Sequence, residues 1–180
     1  MLNICVVHGT TRPGNLSSRV AKYIFEEVKI RQGVDVKFIS PNDYPVKKDG
    51  NDPEQQYPDY TELVIWADAF IIVTPEYNHG YPGSLKQLID KEFANYNRKA
   101  ASVIGVSNGA IGGARAVEAL LPVLRAVGLF VTKTSLYFPR VQDIIDELGQ
   151  VSDPEIADKA KQVIDETIWL GQALKQARQG

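Results

Sequence analysis

Cysteine is all but missing from this chain of 180 residues: Cys5 stands alone, so no internal disulfide can form. That usage fits a reducing compartment. Histidine is nearly as scarce. With only His8 and His79 beside Cys5, a Cys/His zinc cluster has too few ligands, and no metal site is expected. No apolar run approaches the ~20 residues that span a bilayer. The start, Met1-Leu2-Asn3-Ile4, carries no basic leader, so a cytoplasmic home is expected. Neither sign of charge dominates. Twenty basic residues against 22 acidic ones give a net charge of −2, which offers no footing for nucleic acid or a membrane surface. Internal repeats and low-complexity tracts are absent as well.

What is present is the composition of an ordinary globular protein, with 44% hydrophobic and 23% charged residues. At about 150 residues per domain the expectation is one domain, 1–180. Such a chain buries a core without disulfides or metal.

Short apolar runs alternate with helical patterns. Ile4-Cys5-Val6-Val7 reads as a strand ended by Gly9, and Val20, Ile24 and Val28 set a helix over 17–32. Val34–Ile39 is the next strand. Ala69-Phe70-Ile71-Ile72-Val73 is continuous and β-branched, as in a strand buried on both faces of a parallel sheet. Pro82 suits a first helical residue, followed by the stripe Leu85, Leu88, Ile89 and Phe93. A fourth strand is expected over 101–106, then a helix striped by Val117, Leu120, Leu121, Leu124 and Val127, and a fifth strand within 130–137. Ser152-Asp153-Pro154-Glu155 has capping-box spacing and opens a last helix through Ile168. The segment 41–58 stands apart, with four prolines, four acidic residues and few apolar ones. A loop that long is usually functional or mobile, and its place after the second strand puts it over the carboxyl edge of the sheet.

This alternation specifies a doubly wound α/β sheet. Five strands joined by right-handed crossovers favour the flavodoxin-like order 2-1-3-4-5, with a Rossmann order still open from periodicity alone. Ligands of such sheets bind beyond the carboxyl ends of the strands. The loop after strand one, Gly9-Thr10-Thr11-Arg12-Pro13-Gly14-Asn15-Leu16-Ser17, brings hydroxyls, an arginine and a helix N-terminus together. Free N–H groups and the helix dipole there suit a phosphate dianion; equally, Asn15 or Ser17 could serve as a plain N-cap. The spacing matches neither the P-loop nor Gly-x-Gly-x-x-Gly, which disfavours a nucleoside triphosphate or a tightly held dinucleotide. After strand three, Thr74-Pro75-Glu76-Tyr77-Asn78-His79-Gly80-Tyr81 could offer backbone groups and an aromatic to a planar heterocycle, or be a surface turn with a solvated His79. After strand four, Gly109, Gly112 and Gly113 allow close backbone approach. No nucleophile–base arrangement stands out, and no catalytic side chain is nominated.

These segments carry a resemblance. The chain is similar to the NAD(P)H-dependent FMN reductases of flavodoxin-like fold, a group that includes quinone, azo-dye and chromate reductases. Its bearers are the first loop, Pro75-Glu76-Tyr77-Asn78 with Pro82-Gly83-Ser84-Leu85-Lys86, and residues 107–115. The likeness runs to about residue 149. It implies FMN phosphate held by Thr10, Arg12, Asn15 and Ser17, with the backbone at Leu16. Pro75, Glu76, Tyr77 and Asn78 would line the ribityl chain and flavin ring, and Ser107, Gly109 and Gly112 would close the far side. Thr10 stands where the family commonly has serine, so the hydroxyl is kept. The resemblance further implies NADPH or NADH as co-substrate, a quinone, free flavin, azo dye or similar small acceptor, a ping-pong cycle, and a homodimer or homotetramer. The rival is a flavodoxin-type carrier that has the same fold and FMN but no NAD(P)H turnover. A carrier usually has a strongly charged face, which −2 does little to support.

Overall fold

The computed structural model describes residues 1–45 and 57–180. Most of the 41–58 segment, and with it the expectation that this loop is functional, lies outside the described residues.

The elements run β1 (Leu2–His8), α1 (Ser17–Lys29), β2 (Val34–Ile39), α2 (Pro58–Trp66), β3 (Ala69–Pro75), α3 (Gly83–Ile89), β4 (Ala100–Val106), α4 (Ala114–Ala126), β5 (Phe130–Val131), β6 (Leu136–Phe138), α5 (Val141–Ile144) and α6 (Pro154–Gln179). The strands form one parallel sheet in the order β2-β1-β3-β4-β5. The fifth position is split: β5 pairs with the start of β4 and β6 with its end, Gly105 standing opposite Tyr137. The fold is the expected flavodoxin-like one, and the Rossmann order is excluded.

Burial explains the sequence pattern. Every residue of β3 and β4 is buried, because helices cover both faces. Ile4, Val6, Ile71 and Ile104 pack with α1 and α6 on one side. Cys5, Phe70, Ile72 and Val103 pack with α2, α3 and α4 on the other. The edge strand β2 alternates over Val34–Lys37 instead, with Val34 and Val36 half-buried on the α1 side, and only Ile39 at its end is buried, against the opposite face.

Several elements depart from expectation. The helix α2 was not anticipated, since Leu63-Val64-Ile65-Trp66 reads as an unbroken apolar run; Pro58 opens it and Tyr60, Leu63 and Val64 face the core. Pro82 lies just outside α3, which stops at Ile89, so Phe93 leaves the stripe and is exposed. Asp153, not Ser152, caps α6: its carboxylate accepts from the N–H groups of Glu155 and Ile156, while Ser152 Oγ bonds back to Ile144. That helix runs on to Gln179 because its end is clamped. Lys175 and Arg178 reach the carboxylate of Asp68 at 2.6 and 2.8 Å, at the amino edge of the sheet. No helix among the described residues is long and apolar enough to cross a membrane.

Register is what builds the site. His8 pairs with Val73, Val73 with Ile104 and Thr74 with Gly105. The carboxyl ends of β1, β3 and β4 are therefore level, and their loops emerge side by side.

Candidate functional site

The loop after β1 is organised by Asn15. Its Oδ1 accepts from Ser17 Oγ at 2.8 Å and from the Ser18 N–H at 2.9 Å, and its Nδ2 donates to the Arg12 carbonyl at 2.6 Å. Asn15 thus caps α1 from two residues before its first residue, Ser17. Among the described residues, the N–H groups of Gly14, Asn15, Leu16 and Ser17 find no acceptor in the protein. Unpaired N–H groups at the positive end of a 13-residue helix favour an anion. Arg12 pairs with no carboxylate among the described residues; its guanidinium lies 5.6 Å from the centre of the Tyr77 ring.

The loop after β3 makes a two-residue hairpin. Tyr77 and Gly80 exchange backbone hydrogen bonds at 2.9 and 3.0 Å, with Asn78 at φ 50° and His79 at φ 66° between them. Positive φ at both central positions is the type I′ geometry, which asparagine tolerates and histidine adopts at a cost. The hairpin lifts Asn78 and His79 clear of the sheet. Behind it, Tyr77 Oη sits 3.1 Å from Thr10 Oγ1, which also accepts from the Arg12 N–H at 3.2 Å.

The loop after β4 is pressed against β6. The Arg140 N–H donates to the Gly109 carbonyl at 3.0 Å and the Val141 N–H to Ser107 at 3.1 Å. Gly113, at φ 87°, lies so close to β4 that a Cβ there would fall 2.5 Å from the Val106 nitrogen. The carboxylate of Glu76 crosses from the β3 loop to Arg115 at the start of α4, 3.2 Å away. Its other oxygen is buried without a partner among the described residues, an uncommon condition in a folded protein.

Between the loops lies a cavity of about 750 Å³, walled by residues 12–17, 75–79 and 106–111 with Arg115 and Val141. That volume is in the range of small-molecule sites. Arg12, Asn15, Leu16, Ser17, Pro75, Glu76, Tyr77, Asn78, Ser107 and Gly109 come together on its wall as the sequence suggested. Thr10 and Gly112 do not line it. Thr10 is buried behind Tyr77, and Gly112 is packed on Tyr137 and Pro139, where a Cβ would meet atoms at 2.8 and 2.9 Å. Arg115, Val141 and His8 were not nominated. The contacts that bring them in span 39 residues for Arg115 and Glu76 and 34 for Val141 and Ser107, beyond the reach of local pattern. Burial lowers the pKa of His8, opposed by its hydrogen bond to Asn15 and aided by the charge of Lys22.

Residues 2–143 match the model of a family described as NADPH-dependent FMN reductase. A quinone reductase of Pseudomonas putida is 30% identical over 160 residues, spanning 84% of this chain and 85% of the relative. An NAD(P)H-dependent FMN reductase of Schizosaccharomyces pombe is 28% identical over 158 residues, spanning 79% and 78%. The flavoenzyme NAD(P)H:(acceptor) oxidoreductase FerB of Paracoccus denitrificans superposes with a TM-score of 0.74 at 24% identity over 98% of both chains, which speaks to the fold.

Proposed function

Because the chain belongs to the NADPH-dependent FMN reductase family and is an oxidoreductase, we propose that 1–180 is one noncovalent FMN-binding unit that reduces quinones, free flavins, azo dyes or related small acceptors with NADPH or NADH. The observation that carries this reading is the row of N–H groups at Gly14, Asn15, Leu16 and Ser17, unpaired among the described residues, beside an Arg12 that meets no carboxylate among them, on the wall of the cavity. A terminal phosphate satisfies both features at once. The Glu76–Arg115 pair neutralises the second arginine, which leaves the anion end of the cavity distinct from the rest.

A flavin held in this cavity would supply the redox chemistry that links NADPH or NADH to the acceptor, in a ping-pong cycle. The chain's own work is to bind, orient and leave one face open. Pro75, Glu76, Tyr77 and Asn78 offer backbone groups and an aromatic edge along the β3 wall, and Ser107 and Gly109 close the β4 wall. Thr10 acts from behind by holding the Tyr77 hydroxyl, and Gly112 by keeping the third loop on β6. No side chain on the wall is required to move a proton, since solvent reaches an open face.

The test is spectroscopic. Protein purified in excess FMN and then desalted should stay yellow with one FMN per chain, and NADPH alone should bleach it under anaerobic conditions. Stoichiometric FAD with no affinity for FMN refutes the cofactor. Retained FMN that NADPH cannot bleach makes the protein an electron carrier instead.

A further inference from the structure

His8 closes β1 directly beneath the first loop and is 5% exposed. Its Nε2 lies 2.9 Å from Asn15 Oδ1 and 3.1 Å from Ser17 Oγ. The orientation of the Asn15 amide is fixed by its other partners. The Ser18 N–H needs an acceptor and the Arg12 carbonyl needs a donor, so Oδ1 faces Ser18 and Nδ2 faces Arg12. An amide oxygen only accepts. The proton is therefore on Nε2 of His8, which donates to Asn15.

Donors from His8, Ser17 and Ser18 thus converge on one oxygen. Ser17 and Ser18 belong to the first turn of α1, so their bonds hold Asn15 to the helix alone. His8 is the donor that comes from the sheet. Through it the turn of chain from Arg12 to Ser17 is referenced to β1, and hence to the loops after β3 and β4 that form the other cavity walls. Without it the loop stays capped on α1, and its remaining side-chain tie to the other walls is the Arg12 N–H bond to Thr10, at the far end from Gly14–Ser17.

We propose that His8 is a positioning residue for the phosphate end of the cavity, its Nε2–H fixing through Asn15 the loop that presents the unpaired N–H groups of Gly14 to Ser17. The inference rests on the FMN reading and deepens it. The length of the side chain matters: the imidazole carries its donor at the ε position, which glutamine can reach and asparagine cannot. The bond contributes to the phosphate end alone, so a ligand with the same ring and ribityl chain but no phosphate does not depend on it.

The experiment compares wild type with His8→Asn, His8→Gln and His8→Phe, each titrated with FMN and with riboflavin by flavin fluorescence, after thermal melting shows which variants are folded. Loss of one neutral hydrogen bond predicts that His8→Asn weakens FMN about three- to tenfold and leaves riboflavin within about twofold, while His8→Gln restores FMN binding. His8→Phe should match His8→Asn if it folds; the Asn and Gln pair decides the matter if it does not. Equal affinities for His8→Asn and wild type overturn the inference, as does parallel loss of FMN and riboflavin, or failure of His8→Gln to restore. A wild-type protein that binds riboflavin as well as FMN refutes the phosphate reading itself, and His8 falls with it.

Discussion

Two glycines with the same backbone handedness and different surroundings allow the packing of the third loop to be weighed. Gly14 has φ 67° and nothing within 4 Å of the place a Cβ would occupy. Gly113 has φ 87° and would put its Cβ 2.5 Å from the Val106 nitrogen and 2.9 Å from the carbonyl carbon of Gly105. An L-residue in the left-handed region costs about 1–2 kcal/mol, and replacing glycine recovers about 0.4–1 kcal/mol from the less disordered unfolded chain. Gly14→Ala should therefore lose roughly 1 kcal/mol. Gly113→Ala bears the same balance plus overpacking of about 1–3 kcal/mol. The upper part of that range applies, because the atoms met are backbone of a central strand and cannot swing aside. A total near 3–4 kcal/mol is a large share of the 5–15 kcal/mol that typically holds a domain. Urea unfolding of both variants should give midpoints clearly apart, and melting should separate them by about 4–12 °C at 2–4 °C per kcal/mol. If Gly113→Ala lay within about 0.5 kcal/mol of Gly14→Ala, the close approach of α4 to β4 would not be steric and the reasoning fails.

Other outcomes can be checked independently. Arg12→Ala should weaken FMN by roughly tenfold or more through loss of a charge-assisted contact of about 1.5–3 kcal/mol, with riboflavin little changed; equal losses would place Arg12 away from the phosphate. His79→Ala and Tyr77→Phe should keep anaerobic flavin reduction by NADPH, measured by stopped flow, within about an order of magnitude of wild type. A larger loss at full FMN occupancy would mean that the hairpin does chemistry. Asp68→Ala leaves the cations of Lys175 and Arg178 facing each other at the amino edge. With those partners still partly solvated, the loss in urea unfolding should be about 2 kcal/mol, and one below about 0.5 kcal/mol would show that α6 needs no clamp. Burial holds the folded pKa of His8 below its ordinary 6.5, so the unfolded chain takes the proton first. The stability due to neutral His8 is present above that value and drains away as pH falls below it. Melts at falling pH should steepen for wild type relative to His8→Gln, and identical slopes would show that His8 does not titrate on folding.

The sequence by itself determined the sheet. Apolar runs such as Phe70-Ile71-Ile72-Val73, and striped helices such as Val117, Leu120 and Leu124, state their burial locally, because the period of a strand or helix is written in adjacent residues. From that alternation come the doubly wound class and the edge where ligands belong, while the choice between the flavodoxin-like and Rossmann orders was made by the strand pairings. The hydroxyls, arginine and glycines of the three loops were legible for the same reason. Tertiary structure decided which of those residues face the cavity. Thr10 carries the expected hydroxyl but spends it on Tyr77, 67 residues away. Gly112 is packed against Tyr137 and Pro139 and lies off the cavity wall. The helix α2 was hidden because four consecutive apolar residues satisfy either period. The fifth strand split because β4 is paired at both ends and passed over in the middle, which no run of residues announces. The link from His8 to Asn15 spans only seven residues, yet it was invisible too: whether a histidine at a strand end turns toward solvent or toward the loop above it depends on the strand register and on the helix packed over it, and those are set by contacts from the whole chain.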